Sequence, residues 1–183
     1  MENLLTDNEK QRIKNFSRYE DDIIKPKIWN FLKDKASNFC IIREYSFLNC
    51  NVNSEEALDL AILNKEKCSL IYGIEIKALP LTNPNNGLAN SYNRRRILND
   101  FRKLIRLFDF QPNLKLGLFF LSLSYKATNQ SEQIFNRRLN EIYSRLTNNG
   151  LQIRHEQLEP DIDLGNNIKI RNFLFVIEPN QSS

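Results

Sequence analysis

Leu114 to Ser124 reads LKLGLFFLSLS, a run too apolar on both of its alternating sides to leave one face in water. Successive side chains of a strand point to opposite faces, so such a run is a central strand that must be covered above and below. The rest of the chain supplies the cover. Arg94 to Asp109 carries Ile97, Phe101, Leu104, Ile105 and Phe108 at i, i+4, i+7, i+8 and i+11, one apolar helical stripe. Ser131 to Thr147 repeats the pattern with Phe135, Leu139, Ile142 and Leu146, and Gly150 suits its C-terminal end. Asp7 to about Ala36 is a further helical segment, interrupted or kinked near Lys25 and Pro26, because proline removes an N–H and crowds the preceding turn.

Three strands are expected between the first two helices: Phe39 to Leu48, Ala57 to Leu63 and Ser69 to Leu79, the last two joined by the short polar link Asn64 to Lys67. Pro80 to Asn93 is too rich in breakers for regular structure and reads as a long loop. Leu151 to His155 and Ile168 to Ile177 are two last strands, with Glu156 to Asn167 as their connection. The order α, β, β, β, α, β, α, β, β predicts an α/β fold with a mixed central sheet flanked by helices. At 183 residues this is one domain, 1–183.

Several chemistries are disfavoured. A single histidine, His155, gives little basis for a Ser-His or Cys-His nucleophilic pair or a zinc cluster. Cys40, Cys50 and Cys68 are odd in number and form no CxxC pair, so buried reduced thiols are expected. Five scattered glycines make no phosphate-cradling loop. No window is apolar enough for a membrane helix and the first residues lack the pattern of a secretion signal, which together predict a cytoplasmic protein with no membrane partner. Trp29, Phe31, Phe119 and Phe120 sit in periodic apolar segments and read as core.

The net charge is only +4, but it is unevenly spread. Between Arg94 and Arg106 lie Arg94, Arg95, Arg96, Arg102, Lys103 and Arg106 against the single acid Asp100. That is a positive surface suited to phosphate, or else a solvated helix face. Arg137, Arg138 and Arg145 form a second basic side.

Two strands also contain charges where a buried strand should have none. Asp59 interrupts Leu58-Asp59-Leu60-Ala61-Ile62, and strict alternation places it opposite Leu58 and Leu60. In Ile74-Glu75-Ile76-Lys77 the same period puts Glu75 and Lys77 together on one face. An exposed Glu75–Lys77 ion pair is the plain explanation. The sharper one makes Asp59 and Glu75 hard oxygen ligands of a divalent cation, with Lys77 beside an attacking water.

Leu58-Asp59, fifteen intervening residues, then Glu75-Ile76-Lys77 resembles the core motif of the PD-(D/E)XK nuclease superfamily, the restriction-endonuclease-like fold. Leucine replaces the proline that often precedes the motif aspartate. The resemblance covers 8–124 and implies an αβββαβ core, to which a C-terminal helix and strands are added. It further implies that Asp59, Glu75 and the backbone carbonyl of Ile76 hold Mg²⁺ or Mn²⁺, that Lys77 orients or deprotonates the water, and that Glu20 is an additional acid from the first helix. Arg94, Arg95, Arg96, Arg102 and Lys103 would grip nucleic-acid phosphates. Arg96, Asp100 and Lys103, at i, i+4 and i+7, share a helix side that would face the metal site or carry an Arg96–Asp100 surface ion pair. The implied activity is metal-dependent endonucleolytic hydrolysis of phosphodiester bonds, with DNA the foremost substrate. The rival is a catalytically inactive module of this fold that binds nucleic acid or a protein partner. A homodimer would offer one site to each strand of a duplex, but the sequence fixes no interface.

Overall fold

A computed structural model describes residues 20–35, 38–50, 56–79, 91–111, 113–146 and 152–179. A π-helical turn, Glu20–Ile24, runs into α1 (Lys25–Lys35), followed by β1 (Phe39–Ser46) and a 3₁₀ turn (Phe47–Cys50). Then come β2 (Ala57–Asn64), β3 (Leu70–Leu79), α2 (Ser91–Phe110), β4 (Leu116–Lys126), α3 (Asn129–Leu146), β5 (Gln152–Gly165) and β6 (Ile168–Glu178). The strands form one six-stranded sheet in the order β1-β2-β3-β4-β6-β5. All neighbours are antiparallel except β3 and β4.

Local chemistry accounts for this topology. Asn64 Oδ1 accepts the N–H groups of Glu66 and Lys67, both at 2.9 Å, and so closes the β2–β3 turn. Asn166 and Asn167, with φ of 54° and 59°, make the two-residue turn between β5 and β6, where left-handed residues match the strand twist. A parallel pair cannot be joined so tightly, and α2 is the crossover from β3 to β4.

Each face of the sheet buries its own core. The π-turn and α1 cover Leu60, Ile62, Ile74, Ile76 and Ile170 with Ile23 and Ile24. On the opposite face α2 and α3 insert Ile97, Phe101, Leu104, Phe135 and Ile142 against Leu121, Phe119 and Phe175. Phe101, Phe119 and Phe175 meet with ring centroids 5.3–6.1 Å apart, tying α2 to β4 and β6. Gly73 lets α2 approach β3: a Cβ there would stand 3.3 Å from Leu58 Cδ1 and 3.4 Å from Leu104 Cδ2. The central strand predicted from Leu114 to Ser124 is β4, third from one edge and covered on both sides.

Away from the π-turn, β6 carries a buried guanidinium. Arg171 donates from Nε and Nη2 to Asp161 of β5 and from Nη2 to Glu132 of α3 at 2.9 Å and to the Tyr125 hydroxyl at 2.8 Å. Tyr125 in turn donates to Asp161 at 2.7 Å.

Some expectations are corrected. Helix α2 begins at Ser91, so Ser91 to Asn93 are helical rather than loop, while 80–90 lie outside the described residues, as do 7–19 of the first helical segment, Cys50's side chain and Gly150. The stretch Glu156 to Gly165, expected within the connection, belongs to β5 despite Pro160. An edge strand tolerates proline, and the register shifts between Leu158 and Ile162 absorb the irregularity. Cys40 and Cys68 are free but exposed, not buried. Phe31 is 63% exposed rather than core. No helix among the described residues is long and apolar enough to cross a membrane.

Candidate active site at the fork of two strands

Asp59 stands where β2 parts from β3. Its pairing with β3 is registered only from Leu60–Ile74 onward, and toward β1 the ladder skips the position opposite Asp59, where Glu44 has a left-handed φ of 49°. Strict alternation fails here: Leu58 faces the α2 core and Leu60 the α1 core, so Asp59 occupies a kink rather than the face opposite both. The fork leaves β3 backbone donors without a strand to meet, and a buried N–H must find an acceptor. Asp59 Oδ2 takes the N–H of Ile76 at 2.7 Å, and Glu20 Oε2 takes that of Ala78 at 2.8 Å.

Glu75 and Lys77 share the face under α2, as alternation predicts, but they do not pair with each other on an exposed surface. Glu75 is 2% exposed, and the ammonium of Lys103 lies 2.7 Å from its Oε1 while donating to Ala57 O at 2.7 Å. Lys77 Nζ sits 2.9 Å from Asp100 Oδ2 and 3.8 Å from Glu20 Oε1. Asp100 and Lys103, one turn apart on α2, thus cross-pair with Lys77 and Glu75. A third lysine, Lys25, bonds Asp59 Oδ1 at 2.8 Å. The structure therefore gathers Glu20, Asp59, Glu75 and Lys77 into one cluster. Ile76, whose carbonyl was expected to face a cation, keeps its side chain in the α1 core.

Burial pushes the Glu75 carboxyl up to about 8, with the field of Asp59 adding to it; the Lys103 ammonium pulls the other way and does not offset the lost hydration. Because the folded value is raised above the ordinary 4.5, the group's contribution to stability is complete below that pH and is lost as pH rises through about 8. Glu75→Gln removes the titration. Without divalent ions, urea unfolding should show this variant gaining on the parent by up to about 1.4 kcal/mol per pH unit between pH 5 and 8. A constant difference across that window would disprove the assignment.

The arginines divide. Arg94, Arg95 and Arg102 line a groove of about 290 Å³ with Leu98 and with Arg145 of α3, on the flank of α2 turned away from Asp100 and Lys103. Arg96 is exposed and lies 5.8 Å from the Tyr92 ring centre. Lys103, expected among the phosphate grips, is drawn into the carboxylate cluster, since its side chain is only 14% exposed. Arg106 is paired with Glu56. Arg145, noted in the sequence only as part of a second basic side, joins the groove because α3 packs beside α2.

Lys25 is the site residue that sequence reasoning missed. Its signal was present in the spacing: four and five residues after Asp21 and Glu20, at the helical break, with an apolar stripe on either side. Among the described residues no three of His, Cys, Asp and Glu converge closely enough to hold a metal ion by themselves. No family model, curated protein or solved structure matches this chain.

Proposed function

We propose that this chain is a metal-dependent phosphodiester hydrolase of the restriction-endonuclease-like type, acting on nucleic acid with DNA as its foremost substrate. The observation that carries the reading is the buried Glu75 beside Asp59 at the strand fork, with Lys77 next along the same face. Such groups are expensive to bury without a purpose that needs them dry.

The donor set fits Mg²⁺ or Mn²⁺. Mg²⁺ commonly takes only one or two carboxylates and completes its shell with water and phosphate oxygens, so a pair of acids suffices. Glu75 Oε1 is buried and takes no hydrogen bond of proper geometry, only the nearby Lys103 ammonium. Asp59, Glu75 and the Ile76 carbonyl would hold the ion, which when bound supplies Lewis-acid polarisation of the phosphate and a more acidic water. Lys77 would orient that water and balance charge growing on the phosphate, its ammonium aimed by Asp100 and Glu20. The Asp59 bond to the Ile76 N–H fixes the carboxylate against β3, so that its rotamer is set before substrate arrives.

The groove of Arg94, Arg95, Arg102 and Arg145 would hold backbone phosphates at a distance from the cluster, giving affinity without sequence reading. Replacing Arg94, Arg95 and Arg102 with alanine should flatten the dependence of log K on log salt by about 0.9 for each duplex phosphate that these side chains neutralise. Fluorescence anisotropy across a salt series measures this, and an unchanged slope removes the groove from the interface.

The direct test incubates the purified protein with supercoiled plasmid and with RNA, in Mg²⁺, Mn²⁺ or EDTA. Metal-dependent nicking supports hydrolysis. Tight, salt-sensitive binding with no cleavage under any metal supports the non-catalytic module instead, for which the complete pairing of the carboxylates with lysines is the favouring observation.

A further inference from the structure

Three carboxylates converge on one ammonium at the fork. Lys25 Nζ lies 2.8 Å from Asp59 Oδ1, 2.9 Å from Asp21 Oδ1 and 3.2 Å from Glu20 Oε1, with only 11% of its side chain exposed. The wide winding of Glu20–Ile24 makes the convergence possible, since a π-turn aligns residues five apart and so stacks Glu20 beneath Lys25. An ammonium has three N–H donors, and here there is a carboxylate for each. Burial works against the charge, but the bonds to Asp21 and Asp59 and the fields of Asp59 and Glu20 more than compensate and hold its pKa above the ordinary lysine value.

Asp59 and Glu20 keep few oxygens for any other cation. Asp59 spends Oδ2 on the Ile76 N–H, and Glu20 spends Oε2 on the Ala78 N–H. Of these two carboxylates only Oδ1 of Asp59 and Oε1 of Glu20 are left to join Glu75 in facing a metal, and Lys25 contacts both. Its third partner differs: the Asp21 side chain is 69% exposed, so it leads from the cluster toward solvent.

We infer that Lys25 is a built-in competitor for the divalent cation, whose loading requires the ammonium to leave Asp59 and Glu20 and swing out on its Asp21 contact. This rests on the hydrolase reading. Metal affinity is then an exchange of one cation for another, and the wild-type protein binds metal more weakly than its carboxylates alone would. The released ammonium, still held near the mouth by Asp21, becomes available to a substrate phosphate. Coupling of this kind is reciprocal: whatever draws Lys25 outward also tightens metal binding.

Two measurements test it, both with MnCl₂ and no nucleic acid. Isothermal calorimetry compares the wild type with Lys25→Met, and brief amine acetylation followed by peptide mass spectrometry reads the accessibility of Lys25 against the exposed Lys33. The expected results are Mn²⁺ binding about tenfold tighter in Lys25→Met, and acetylation of Lys25 in the wild type that rises severalfold at saturating Mn²⁺. Calorimetric binding with unchanged or reduced Lys25 acetylation overturns the inference and leaves the hydrolase reading standing, as does a folded Lys25→Met that binds no more tightly. Should Lys25→Met fail to melt cooperatively, wild-type acetylation decides alone. If neither protein takes up Mn²⁺, both readings fall together.

Discussion

Lys77→Gln should lose about a hundred- to a thousandfold in the rate of phosphodiester cleavage while binding DNA within a factor of two of the parent, the pattern expected when a preorganised charge acts only as negative charge develops. Asp59→Asn and Glu75→Gln should lose at least as much, because each removes one of two acids proposed to hold the ion. Single-turnover cleavage of a labelled duplex measures all three. The control is built into the chemistry of Glu75: its glutamine variant should be inactive and yet gain stability relative to the parent as pH rises from 5 to 8, since burial raises the carboxyl to about 8 and its ionisation opposes folding. A variant that lost activity by unfolding would show no such pH-dependent gain. Full activity in Lys77→Gln would reject the proposed site outright.

The largest effect on stability should come from Arg171→Met. Arg171 and Asp161 are almost wholly enclosed, with 11% and 13% of their side chains exposed, and the guanidinium also serves Glu132 and the Tyr125 hydroxyl. It lies 4.9 Å from the centre of the Tyr125 ring as well, so its plane is packed as closely as its edges are bonded. Removing it strands a buried carboxylate, a loss of about 3–5 kcal/mol. Denaturant melts should show it, and Arg171→Met/Asp161→Leu should recover part of the loss by removing the orphaned charge. Burial alone would raise the Asp161 pKa, but the bonds from Arg171 and Tyr125 outweigh it and hold the carboxyl below its ordinary 3.8. Its folded value being depressed, this contribution is complete above about pH 4 and fades as pH falls further, so the parent should lose its advantage over Arg171→Met in acid.

The strands and helices around the cluster were legible because their periods are clean. Ile74, Glu75, Ile76 and Lys77 alternate apolar and charged, and Ile97, Phe101 and Leu104 repeat at helical spacing, so the face shared by Glu75 and Lys77 followed from the pattern alone. What the pattern could not convey was pairing between elements. That Lys103 turns inward to Glu75, and that Arg94 and Arg102 turn toward Arg145, depends on the rotation of α2 about its own axis, which its two basic flanks left open. Asp59 defeated the alternation rule because the kink opposite Glu44 is a backbone event with no composition of its own. Lys25 was hidden for a similar reason: a wide helical turn changes which residues are neighbours, and the apolar stripe is the same either way. Beyond the site, β5 was shortened because acids and a proline on an edge strand look like a loop.

The single parallel seam between β3 and β4 has a kinetic consequence. To one side of it β1, β2 and β3 pair in chain order, and to the other β5 and β6 form a hairpin, whereas β4 meets β3 and β6 only across the crossovers that carry α2 and α3. Seating β4 therefore demands pairings far apart along the chain, the slowest kind of contact to make. The helix of the first of these crossovers, α2, delivers Asp100 and Lys103 to Lys77 and Glu75. The chemistry is thus withheld from partly folded chains, and the emergence of activity during refolding would serve as a clock for the last event on the pathway.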